Sequence, residues 1–175
     1  MSQNPSPRPA LRLTLAALFT AMTVVLSMSV FSIPVPGGHL YFCDTVINTA
    51  AMLLDPLAAF CVGGIGAFIG DMIFYPAPMF VSLVTHGLQA VVISLCARRL
   101  PGNKVAASII GVALGAVIMV VGYSLGRAYV YSTPAYALLK LPFQILQAVV
   151  GAVVGTLLRW KVKPLSKLVE GHTGP

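Results

Sequence analysis

Residues 44–71 read DTVINTAAMLLDPLAAFCVGGIGAFIGD, and this stretch decides how the chain folds. It holds three acids, Asp44, Asp55 and Asp71, and no basic residue. An apolar run of about 20 residues spans a bilayer as a helix. Proline ends one helix and can open the next. Asp55-Pro56 therefore divides the stretch into a short helix over 44–54 and a longer one over 57–74, closed by Tyr75-Pro76-Ala77-Pro78.

The pattern continues on both sides. An apolar run over 11–33 ends at Pro34-Val35-Pro36-Gly37-Gly38, and further runs cover 79–97, 105–125 and 134–160. Across the 175 residues, 58% are hydrophobic and only 9% charged, against about 25% charged in a soluble domain. Mean hydropathy is +0.92. Too few charges remain to coat a water-exposed surface, which sets aside a soluble enzyme, a disordered chain and a nucleic-acid-binding domain. The expected fold is an all-α integral membrane protein, a bundle of six transmembrane helices. One membrane domain over 11–163 lies between disordered tails at 1–10 and 164–175. A re-entrant 44–54 segment, leaving five spans, is the competing arrangement. The first run is longer than a signal-peptide core and lacks a clean cleavage site, so it reads as a retained helix.

The net charge of +7 is explained by position. Arg8, Arg12, Arg98, Arg99, Lys104, Arg159, Lys161, Lys163 and Lys167 all fall on one side if both termini are cytoplasmic, leaving only Arg127 and Lys140 outside. Lysines and arginines concentrate in cytoplasmic loops, so the expected topology is N-in and C-in. Cys43, Cys61 and Cys96 are odd in number and widely spaced, which suits packing residues rather than a disulfide or zinc framework.

Polar residues in a membrane are costly, about 2.5–3.5 kcal/mol for a central charge, so each asks for a reason. They gather at one depth. Asp44 and Asn48 share a helix face, as do Ser82, His86 and Gln89, Tyr123 and Arg127, and Lys140, Gln144 and Gln147; Asp71 closes its own helix. The plain alternative is that Asp44 or Asp71 pairs with Arg127 or Lys140 merely to hold the bundle. Otherwise ten of these residues, all but Ser82, converge on a pocket for a small molecule rich in donors and acceptors. Tyr41, Phe42, Phe74, Tyr75, Tyr123, Tyr129, Tyr131 and Tyr136 cluster at the same end, either as an interfacial belt or as ring-stacking surfaces. No P-loop, dinucleotide fingerprint, H-E-x-x-H or G-x-S-x-G occurs, so neither a cofactor nor a metal is expected. Small-x-x-x-small pairs at Ala17/Ala21, Gly66/Gly70, Gly111/Gly115, Gly122/Gly126 and Gly151/Gly155 predict close helix packing.

On the Ala-x-x-x-Ala of the first helix and the joint pattern over 44–89, the chain resembles the substrate-binding S components of energy-coupling factor (ECF) vitamin transporters. The likeness is to their riboflavin-, pyridoxine- and hydroxymethylpyrimidine-type branch. Two departures stand out: Asp55 where a glycine is commoner, and His86 where several relatives have a lysine. The resemblance implies capture of a water-soluble vitamin or related heteroaromatic precursor from outside, pyridoxine-like, pyrimidine-like or queuine-like. It also implies assembly with a transmembrane scaffold subunit and two ATPase subunits in the cell membrane. The 33–43 loop, with Pro36, Gly37, Gly38, His39 and Tyr41, becomes the gate, and Ala17 and Ala21 the scaffold-docking surface. A stand-alone secondary transporter or channel, and a small membrane enzyme using Asp44, Asp71 and His86, are the other readings.

Overall fold

The computed structural model describes residues 8–161. Helix α1 (Arg8–Leu26) leads through a short 3-10 turn to a hairpin of β1 (Ile33–Val35) and β2 (Gly38–Leu40). Then come α2 (Cys43–Leu53) and α3 (Pro56–Phe60), which runs through a π-helical turn (Cys61–Ile65) into α4 (Gly66–Phe74). Helix α5 (Met79–Arg99), α6 (Lys104–Gly126) with its own π turn (Arg127–Tyr131), and α7 (Pro134–Lys161) complete the bundle. All six expected helical segments are present.

One expectation is met in part and two boundaries are corrected. Among the described residues, four continuous helices are long and apolar enough to cross a membrane: 56–74, 79–99, 104–131 and 134–161. Ala10–Leu26 is a shorter apolar helix, and α2 has only 11 residues. Second, α1 stops at Leu26 rather than at 33. The Ser27 hydroxyl turns back to the Thr23 carbonyl at 2.8 Å, and Pro34 lacks an N–H and holds Ile33 extended. Residues 29–31 form a 3-10 turn instead, and Ile33 opens the β-hairpin, a small strand element in an otherwise helical chain, with Val35 opposite Gly38. Its two-residue turn is Pro36-Gly37, where Gly37 takes φ +79°, the second corner of a type II turn. Third, residues 8–10, expected in the tail, form the first turn of α1. The rest of both tails lies outside the described residues.

Helix α2 is the centre of the molecule, with all but Thr45 buried. One side packs Ile47, Ala51 and Met52 against Ala90, Ile93 and Val112; the other packs Val46, Ala50 and Leu53 against Phe19 and Val62. Between apolar helices in lipid, close packing rather than water exclusion holds the contact. A Cβ on Gly151 would lie 2.5 Å from the Asp44 Cβ, and one on Gly155 would lie 2.9 Å from the Asn48 Cβ. Gly66 and Gly70 meet Thr23 and Ser27 in the same way, and Gly122 and Gly126 meet Thr85 and Val81. These glycine pairs are spent inside the bundle. Ala17 and Ala21 are exposed.

Asp55 caps α3, accepting the Ala58 N–H at 3.4 Å, which gives this departure from the family pattern a structural role. At the same end, the Arg98 guanidinium donates to the carbonyls of Leu53 and Leu54 at 2.9 and 3.1 Å. It satisfies the bare C-terminus of α2.

Candidate functional site

At the opposite end of α2 the bundle opens into a cavity of about 600 Å³. Its walls come from Ser27 just past α1, the β-hairpin, the start of α2, α4, the first half of α5, the end of α6 with its π turn, and α7. Seven of the ten residues expected to bind a ligand face it: Asp71, His86, Tyr123, Arg127, Lys140, Gln144 and Gln147. The other three, Asp44, Asn48 and Gln89, form a buried layer behind it, each no more than 2% exposed.

That layer is hydrogen-bonded throughout. Gln89 Nε2 donates to Asp44 Oδ1 at 3.2 Å and to Asn48 Oδ1 at 3.1 Å. Gln147 Nε2 donates to Asp44 Oδ2 at 2.7 Å. His86 Nδ1 lies 2.7 Å from Gln89 Oε1 and 3.8 Å from Asp44 Oδ1. A buried carboxylate is tolerable when its oxygens are met by donors, and here two side-chain amides meet it. Asp71 accepts from the Ser82 hydroxyl, which itself accepts from Tyr123 at 2.5 Å. The Asp–Lys or Asp–Arg pairing weighed from sequence is not formed among the described residues. Both acids take their hydrogen bonds from amide and hydroxyl side chains.

Cys43, Asp44 and His86 bring three donor atoms within 4.8 Å of one another, a juxtaposition that the sequence spacing does not show. With Asp44 held by two amides and His86 by Gln89, the group reads as a satisfied polar network.

The hairpin roofs the cavity. Gly37, Gly38, His39 and Tyr41 line it, while Pro36 sits at the exposed corner of the turn. Two bonds fasten the roof to α7: Lys140 Nζ to the His39 carbonyl at 2.5 Å, and the Tyr41 N–H to Gln147 Oε1 at 3.1 Å. Burial pushes the Tyr41 phenol up to about 12, so it presents a neutral hydroxyl to the cavity. Phe74, Tyr75, Tyr123, Tyr131 and Tyr136 supply aromatic walls, whereas Phe42 and Tyr129 do not line it. Ser27, Cys43, Pro78 and Ser132 line it as well. No sequence signal separates these four from ordinary turn and packing residues.

The combination is a polar floor, aromatic sides and a two-stranded roof on a membrane bundle, a receptacle for one small molecule. Residues 10–164 match the sequence model of the ECF-type riboflavin transporter S component family. The chain belongs to that family. It is a multi-pass membrane protein and the substrate-binding component of a transporter, not an enzyme. S components work with an ECF scaffold and ATPase modules. A Pyrococcus woesei protein described as "Uncharacterized protein in gap 3'region" is 32% identical over 143 residues, covering 82% of this chain and 95% of that protein.

Proposed function

We propose that this S component captures a small water-soluble vitamin, or a related heteroaromatic precursor, from outside the plasma membrane for ATP-driven uptake. The ligand is pyridoxine-like, pyrimidine-like or queuine-like. The observation that carries the reading is the roofed cavity of about 600 Å³, in which amide, imidazole and carboxylate groups face aromatic side chains. Flat rings stack on aromatics while their heteroatoms take the polar groups. Both termini are cytoplasmic in this reading, because Arg98, Arg99, Lys104, Arg159 and Lys161 lie at the ends of α5, α6 and α7 away from the cavity. The hairpin acts as the gate, and Ala17 and Ala21 meet the scaffold subunit. Binding belongs to this chain; ATP hydrolysis belongs to two ATPase partners.

Two measurements test this. Mass spectrometry of the small molecule that co-purifies with the chain is expected to show a ring-containing vitamin or precursor. Uptake of that compound into vesicles is expected only when the scaffold and both ATPases are present. Uptake by this chain alone would overturn the reading.

A further inference from the structure

The charged groups of the cavity are sorted by side. Asp44 and Asp71 are satisfied by Gln89, Gln147 and Ser82. Arg127 and Lys140 face the same space from the π turn after α6 and from α7, and the hydrogen bonds of both go to neutral groups. Lys140, 2% exposed, donates to the His39 carbonyl. Arg127 reaches Gln144 Oε1 at 3.4 Å and lies 5.6 Å from the Tyr131 ring centroid. Among the described residues no acid pairs within 4.0 Å of either cation. Each carboxylate of the site is thus already met by hydrogen-bond donors, whereas neither cation touches an acid. A guanidinium and an ammonium flanking an amide are suited to carboxylate or phosphate oxygens.

We propose that the ligand carries an anionic group, a carboxylate or a phosphate monoester, which sits between Arg127 and Lys140 while its ring lies against the cavity's aromatic side chains. This rests on the cavity being the ligand pocket, and it narrows the ligand to an acidic one. Lys140 then has two duties, holding the roof through His39 and meeting the anion.

The test is calorimetry on the purified full-length chain with matched probes: nicotinate against nicotinamide, pyridoxine 5′-phosphate against pyridoxine, and FMN against riboflavin. In at least one pair the anionic member is expected to bind about tenfold more tightly or better. The pair showing the preference tells carboxylate from phosphate. Arg127→Gln and Lys140→Gln should each lower the anion's affinity about tenfold more than the neutral partner's. If Lys140→Gln fails to fold because the roof is lost, Arg127→Gln carries the same comparison. The proposal is overturned if no anionic probe binds, if neutral members bind as well in every pair, or if both substitutions weaken both members equally. That last result would leave the cations a structural role only. Failure of the transport reading is separable: an anion-selective chain that drives uptake without partners keeps this proposal and loses that one. ATP-driven uptake of a neutral compound that competes equally with its anion does the reverse.

Discussion

Gln147 is bonded at both ends of its amide, donating to Asp44 and accepting from the Tyr41 backbone N–H. Gln144, one turn nearer the roof, meets only the Met119 sulfur at 3.1 Å and Arg127 at 3.4 Å. Both face the cavity, yet their substitutions should differ. Gln144→Leu removes a group whose best partner is the ligand, so affinity should fall by roughly 5–150-fold, the equivalent of about 1–3 kcal/mol, with thermal stability nearly kept. Gln147→Leu also strands a buried carboxylate oxygen and a backbone N–H, so both affinity and melting temperature should drop. Calorimetry and a melting curve on each variant read the difference. Unchanged affinity in both would remove the α7 stripe from the binding surface. The stripe itself was legible because residues at i, i+4 and i+7 share a helix face. The division of labour within it was not, since partners such as Met119 and Tyr41 come from distant parts of the chain.

The same limit applies to whole elements. Helix positions followed from apolar runs and proline breaks, and the 44–71 reading placed both α2 and the α3–α4 helix. The end of α1 was misread, because hydropathy is the same for an apolar helix and an apolar hairpin; Val30, Phe31 and Ile33 continue the run although the backbone has already turned. That hairpin gives a direct test of gating. Ala at Gly37 meets a positive φ that costs about 1–2 kcal/mol, and its Cβ would sit 3.1 Å from the Lys140 Cβ. Stopped-flow dissociation from Gly37→Ala should be about tenfold faster; an unchanged rate means the roof does not retain the ligand. Packing between α2 and α7 gives another. Gly151→Ala places a methyl 2.5 Å from the Asp44 Cβ, and such overpacking costs about 1–3 kcal/mol. The melting temperature should fall, and ligand affinity with it, because α7 carries Lys140, Gln144 and Gln147. Ala113→Leu, at an exposed site on α6, should change neither; equal effects from the two would mean that the close α2–α7 approach does not position the site.

Taken whole, the molecule keeps its polar chemistry, Arg127 and Lys140 included, at one end and its other basic residues at the opposite end, with apolar sides between them. The four glycine pairs of the sequence lie against neighbouring helices, as the Gly151–Asp44 and Gly66–Thr23 contacts show. The alanine pair does not. Ala17 and Ala21 are exposed, with Leu18 at 55% and Met22 at 40% beside them, while the opposite face of α1 buries Phe19 and Thr23. A face lined by two methyl groups one turn apart lets another helix come close in lipid. Ala17→Trp should therefore leave the isolated chain folded and able to bind its ligand, because the ring points away from the core. In the assembled transporter the same ring should hold the scaffold helix off and abolish ATP-driven uptake. The paired measurement is ligand affinity of the purified chain and uptake by vesicles containing the complete complex. Full uptake with the tryptophan in place would show that this face meets lipid alone, and the docking surface must then be sought on another helix.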